Sequence, residues 1–195
     1  MFDEKQYELI AKKYGHYASW ALWAAEGKKP KDNIGDLSIL NIEKNKDVLK
    51  QIKPHIILVG LNISRRIEKP LANFHDPRPY AMDYKIRYTL KNTPYYGAYM
   101  TDIIKDFEQK ISGKVTTYLK GNKIFETNNI EIFREEIHDL HVNKPQIIAF
   151  GIDTYKILLR NLSSDYNILK IPHYSHQISK EKYKEEFYRI LNISA

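Results

Sequence analysis

Four short apolar runs in this chain each end on residues able to hold a polar ligand. Pro54-His55-Ile56-Ile57-Leu58-Val59-Gly60 runs into Leu61-Asn62-Ile63-Ser64-Arg65-Arg66. Gly60 allows a tight turn, and the Asn62 amide offers one donor and one acceptor. Ala98-Tyr99-Met100-Thr101 leads into Asp102-Ile103-Ile104-Lys105, a carboxylate followed three residues later by an ammonium. Gln146-Ile147-Ile148-Ala149-Phe150 meets Gly151 and then at once a helical pattern, whose first N–H groups are free to face an anion. Asn167-Ile168-Leu169-Lys170-Ile171 gives way to Pro172-His173-Tyr174-Ser175-His176, where an imidazole and a hydroxyl stand two residues apart. An amide, a carboxylate and an imidazole together supply hydrogen bonds of both senses and one group that exchanges protons near neutral pH. Plainer readings stand beside these: Asn62 as a turn residue, Asp102 as the cap of a following helix, and Arg65 and Arg66 as exposed charges rather than phosphate contacts.

Those four runs are rich in β-branched residues and short, the pattern of strands buried on both faces. Helical patterns lie between and after them, clearest at 129–140, 153–162 and 179–191. Alternation of this kind predicts an α/β fold with helices on both sides of a mainly parallel sheet, and in such sheets ligands sit outside the carboxyl ends of the strands. The expectation is one domain over 1–195: a three-layer α/β/α sandwich with a four-stranded, mainly parallel sheet at 54–195, and a helical N-terminal extension, 1–53, packed on it. Within that extension one or two helices are expected from Glu4 to Glu26, with Trp20 and Trp23 on one helical face. A second helical stretch is expected after Asp36, towards Ile52. Two long loops, 61–79 and 105–127, are expected near the strand ends.

Composition narrows the chemistry. The 195 residues include no cysteine, which excludes a thiolate nucleophile, a disulfide framework and a cysteine-held metal cluster. Lysine and arginine number 31 against 24 acidic residues, a formal charge of +7 that favours anionic partners without specifying one. No apolar run reaches the ~20 residues needed to span a bilayer. Met1-Phe2-Asp3-Glu4-Lys5 lacks the basic-then-apolar order of a signal peptide, so a cytoplasmic protein with no membrane partner is expected. The eight glycines form no G-x-G-x-x-G or Walker pattern, and neither Ser64 nor Ser175 lies in a G-x-S-x-G elbow. His138 and His141, three apart, lack a third ligand, and no metal or other cofactor is expected. Tyr80, Tyr84 and Tyr88 recur at helical spacing beside Arg78, Lys85 and Arg87, either a packed stripe or a stacking, phosphate-binding rim.

Taken in order, the four strand ends resemble the uracil-DNA glycosylase superfamily. Gly60-Leu61-Asn62 is similar to its first motif, which reads G-x-N-P-G in the mismatch-specific branch. The stretch from Tyr99 to Lys105 resembles the Y-I-T-N-x-V-K of the iron–sulfur branch. The run from Lys144 to Gly151 looks like the third core strand and its glycine, and His173-Tyr174-Ser175 resembles the closing H-P-S. Phe74, twelve residues after Asn62, matches the base-stacking phenylalanine of the mismatch-specific enzymes. The likeness spans about residues 54–191 and leaves the first 53 unaccounted for.

The resemblance implies a protein that takes a base, in DNA or a nucleotide, into a pocket and hydrolyses its N-glycosidic bond. By position, Asn62 would place the water and His173 would donate to the leaving base. Gly60 and Leu61 would shape the pocket, Phe74 would stack the base, Asp102 would read its edge and Ser175 would touch a phosphate. Arg65, Arg66, Tyr174 and His176 would meet the nucleic acid, with Tyr174 or a neighbour probing the gap left by the flipped nucleotide. Ile63 and Tyr174 stand where the motifs have proline, and Asp102 stands where the family reads uracil with asparagine. An ionised aspartate is all acceptor, so it repels uracil's O4 and suits an edge with two donors, such as guanine's. The expectation is therefore an altered base preference on a monomer. The alternatives are a catalytically silent nucleic-acid or nucleotide binder on the same scaffold and a hydrolase of small nucleosides.

Overall fold

The structure is a computed structural model and describes residues 2–194. Its centre is the strand β2, Lys53–Asn62, whose residues 56–61 are all buried. Ile56 and Leu58 point into one apolar cluster, while Ile57, Val59 and Leu61 point into the other, as the period of two requires. The strands β3 (Ala98–Ile104), β4 (Gln146–Phe150) and β5 (Ile168–Ile171) join it in parallel, in the order β3-β2-β4-β5. Because the chain leaves β2 for β3 on one side and later returns to β4 on the other, the connections diverge at β2. Such a divergence opens a crevice at the carboxyl ends of the strands.

Helices cover both faces. The first apolar cluster takes Ile86 and Leu90 of α3 (Asp83–Leu90) and Phe187 of α7 (Lys180–Ile190). The second takes Tyr7, Ile10 and Tyr14 of α1 (Glu4–Tyr14), Phe133 and Ile137 of α5 (Lys123–Asp139), and Ile157 and Leu158 of α6 (Gly151–Leu162). The fold is thus the α/β architecture expected from the alternating pattern, with a mostly parallel sheet between helical layers.

The sheet has five strands rather than four. The fifth, β1 (Ser19–Trp20), lies antiparallel on β3, pairing Ser19 with Met100 and Trp20 with Tyr99. It comes from the segment expected to be helical to Glu26; α1 in fact stops at Tyr14. Two tryptophans account for the switch. Trp20 enters the α5 side of the sheet and Trp23 the α3 side, so the chain buries both rings on opposite faces, which one helical face cannot do. The helix expected after Asp36 is also broken, into a 3-10 turn at Ser38–Leu40 and the short α2, Val48–Gln51. Asp36 accepts from the Ser38 N–H at 2.9 Å, and Asn41 from Glu43 and Lys44 at 2.9 and 3.1 Å, so these side chains close local turns instead of starting a helix. The expected loop at 105–127 is mostly α4 (Ser112–Gly121) and the start of α5. Among the described residues no helix is long and apolar enough to cross a membrane.

Candidate functional site

A cavity of about 750 Å³ opens where β2, β3, β4 and β5 end. Gly60, Leu61 and Asn62 of β2 line it, with Asp102 of β3, Phe150 of β4, the first residues of α6, and His173, Tyr174 and Ser175 beyond β5. The four strand ends therefore meet at one crevice, of a size that suits a base with its sugar.

Asp102 forms part of its floor. The carboxyl is 3% exposed, and its Oδ2 accepts a hydrogen bond of 2.8 Å from Asn73 Nδ2. Oδ1 has no protein donor among the described residues. It lies over Gly60, the residue paired with Asp102 across β2 and β3. A Cβ at Gly60 would collide with Oδ1 and sit 3.3 Å from the Phe74 ring, so this position must lack a side chain. Burial is the largest influence on the Asp102 carboxyl and pushes it up to about 7, while the Asn73 amide and the Lys105 ammonium pull the other way. Asp102 sits inside β3 and caps no helix.

Asn62 spends its amide nitrogen on the neighbouring loop. Nδ2 lies 2.8 Å from each of the Ile63, Phe107 and Gln109 carbonyls, which fixes the side-chain orientation. Oδ1, without a protein donor among the described residues, is left as an acceptor at the cavity wall.

His173 is fixed in one tautomer. The Ser175 backbone N–H donates to Nδ1 at 3.2 Å, and the Ser175 hydroxyl stands 2.8 Å from the same atom. Nδ1 is thus an acceptor, and the ring proton resides on Nε2. Burial pushes the imidazole down to about 4, so it is neutral at physiological pH. Gly151, at φ +83°, brings α6 against this ring; a Cβ there would meet His173 Cβ at 3.3 Å. The helix then presents its uncapped N-terminal turn to the cavity, although Asp153 stands in that turn.

The remaining expected residues are distributed differently. Phe74 is buried beneath the wall, 6.1 Å from Phe150 and 6.3 Å from Tyr174 by ring centroid, and the aromatic residues that line the cavity beside it are Phe150, itself buried, and the half-buried Tyr174. Tyr174 stacks on His173 at 4.4 Å and so belongs to the wall. Arg65 lies outside the cavity and donates to Asp76 at 3.2 Å; Arg66 is exposed, also outside it. His176 is not among the residues of this cavity; it lines an adjoining hollow with Lys170, Glu186 and Arg189, which shares Gly151, His173 and Ser175 with it. His138 and His141 lie 6.5 Å apart on the far helical layer, and no group of three metal-binding side chains occurs among the described residues. Lys85 and Arg87 are buried and hold backbone carbonyls, Lys85 those of His176 and Ile178, Arg87 those of Ala24 and Pro30. Tyr80 precedes α3 rather than continuing its tyrosine stripe.

Asn73, Asp76 and Asp83 line the cavity without having been assigned to it in the sequence, and Arg78 and Tyr80, expected either in a packed stripe or in a phosphate-binding rim, line it with them. Asp76 takes Arg78 at 2.6 Å, and the Arg78 guanidinium lies 4.9 Å over the exposed Tyr80 ring. Asp83, buried, accepts from the Asp76 N–H at 2.7 Å, and burial pushes its carboxyl up to about 6. The signal was local. Asn73-Phe74-His75-Asp76-Pro77-Arg78 concentrates turn formers within a loop, and Phe74 sits at φ +63°, a conformation costly for an aromatic residue. Its N–H is held by Asn73 Oδ1 at 3.1 Å, and His75 anchors the loop to the Leu22 carbonyl at 2.9 Å.

Comparison with known proteins finds no matching family model, no matching curated protein and no matching solved structure.

Proposed function

We propose that this protein is an N-glycosidic hydrolase of the uracil-DNA glycosylase kind, acting on a base in DNA or in a nucleotide. The observation that supports this reading most is the meeting of Asn62, Asp102 and His173 on one crevice at the strand ends. In the proposed reaction the bond between base and anomeric carbon breaks, and the base keeps the electron pair. His173 Nε2–H donates to the departing base; being neutral, it stabilises developing charge by hydrogen bonding rather than by giving up a proton. A water held by Asn62 Oδ1 attacks the anomeric carbon from the opposite side and releases its proton to solvent. Phe150 and Tyr174 flank the base, Phe74 backs them, and Asp102 meets its polar edge. Ser175 serves by orienting His173. Arg78, Tyr80 and Lys110 line the same cavity and supply the contacts for sugar and phosphate.

The test is a base-release screen over single- and double-stranded oligonucleotides that carry normal and damaged bases. Release from at least one substrate is expected. Loss of about a hundredfold or more in His173→Ala is expected as well, the usual cost of removing one such donor. Oligonucleotide binding with steep salt dependence and no release from any substrate would overturn the reading in favour of a silent binder.

A further inference from the structure

The chemistry of the cavity floor narrows the ligand beyond a base in general. Asp102 is almost fully buried and lines the cavity, yet its Oδ1, lying over Gly60, has no protein donor among the described residues. The other is taken by Asn73 at 2.8 Å. A guanine edge, with two donors side by side, needs two free acceptors, and here only Oδ1 is free. What the floor offers is a single acceptor with negative charge behind it.

The charges around the cavity lean the same way. Asp76 is matched by Arg65 and Arg78 at 3.2 and 2.6 Å. That leaves Asp83, Asp102 and Asp153 against Lys110 among the lining residues. The half-buried Tyr174 adds an aromatic ring, backed by the buried Phe150, and aromatic faces attract cations. Finally, the imidazole of His173 is neutral because it is buried, with the Ser175 N–H on its Nδ1. A leaving base that must be protonated gains little from it. A base that already carries a positive charge departs as a neutral molecule with the electron pair of the broken bond, and needs no proton from His173, only the hydrogen bond of its Nε2–H to the acceptor gaining that pair.

We infer that the pocket is selective for a flat, positively charged base with one donor directed at Asp102, that is, an N-alkylated purine cation, over uracil and unmodified guanine. This inference rests on the nucleobase reading of the cavity given above. On its own side of the sheet Asp102 is met by Asn73 from the loop before α3, Asp83 from α3 and Tyr174 after β5, and the charges of Lys105 beyond β3 and Glu136 from α5 reach it from the other side. A cation selects the ionised carboxylate, whereas uracil's carbonyl selects the protonated one. With the free carboxyl near 7, cation affinity tightens about tenfold from pH 6 to pH 8, and uridine affinity weakens over the same range.

Calorimetric titration of the full chain with 7-methyladenosine, adenosine, guanosine and uridine at pH 6 and pH 8 tests it. The expected result is at least tenfold tighter binding of 7-methyladenosine than of the three neutral nucleosides at pH 8, with the stated pH trend. Asp102→Asn should abolish both the preference and the trend and improve uridine binding. The pH series on the native chain keeps the test independent of how that variant folds. Equal or tighter binding of uridine or guanosine by the native chain overturns this inference alone. Binding of none of the four overturns the nucleobase reading with it.

Discussion

Adjacent residues of β3 serve two buried acidic regions, and the two are built on opposite plans. On the α5 face, Thr101 Oγ1 lies 3.3 Å from Glu136, and Lys105 Nζ closes on the same carboxyl at 2.8 Å. Lys105 is 1% exposed and Glu136 is fully buried, with the ammonium 4.6 Å from the Tyr17 ring and bonded to the Asp102 carbonyl. On the α3 face, Asp102 has a neutral amide for its only side-chain partner among the described residues and a cavity in front of it. Burial raises both carboxyls, but only Glu136 has a cation within hydrogen-bond distance to offset it. A charge neutralised where it stands is architecture. An acceptor kept half-satisfied at a cavity is available for a ligand, and the difference separates a structural acid from a candidate functional one.

The sealed side should show the largest mutational effect. Lys105→Met leaves Glu136 buried without its cation, which costs about 3–5 kcal/mol, and the double variant Lys105→Met with Glu136→Leu should recover most of that loss. Urea unfolding of the native chain and the two variants measures it. If the single variant were as stable as the native chain, the pair would not be the compensated charge that sets this face apart.

This contrast also shows what could be read from the sequence. The strands β2 to β5 and the crevice at their ends were legible, because short apolar runs rich in β-branched residues, alternating with helical patterns, are local signals. Gly60, Leu61, Asn62, Asp102, His173, Tyr174 and Ser175 do line one cavity, as the order of the strand ends implied. Asn73 and Asp83 were not legible in that role: each reaches the cavity through contacts set by tertiary packing, Asn73 across 29 positions to Asp102. Nor was the use of Lys105, Lys85 and Arg87, since a cation's type does not say whether it will be buried. The two tryptophans misled for a related reason. Their spacing of three fits a helix equally well, and the burial of both on opposite faces of the sheet decides for an extended chain.

On the cavity side the strongest single change is at the closest approach. Gly60→Ala puts a methyl against Asp102 Oδ1 and near the Phe74 ring, and overpacking of this kind costs about 1–3 kcal/mol. Thermal unfolding reads the stability loss, and nucleoside titration should show that the ligand is lost with it. A variant of native stability and native binding would mean that Gly60 and Asp102 do not share the packed floor.

The finest test separates the two plans by pH. Asn73→Ala removes the amide from Asp102 Oδ2 and from the Tyr17 carbonyl, and frees the Phe74 N–H, a loss of about 1 kcal/mol at pH 5. The carboxyl of Asp102 is raised above its unfolded value, so its contribution to stability is fully present below about 4 and is lost as pH rises through about 7. Asp83, raised to about 6, has the same sign and leaves part of the slope in any Asp102 variant. Since the Asn73 amide pulls the Asp102 carboxyl down, its removal lifts the folded value further and makes the ionised form costlier. Asn73→Ala should therefore lose more stability at pH 8 than at pH 5 in urea unfolding, and the extra loss should vanish in the Asp102→Asn background. Equal losses at both pH values would mean that Asn73 holds only the loop, and that Asp102 is no more exposed to proton exchange than Glu136.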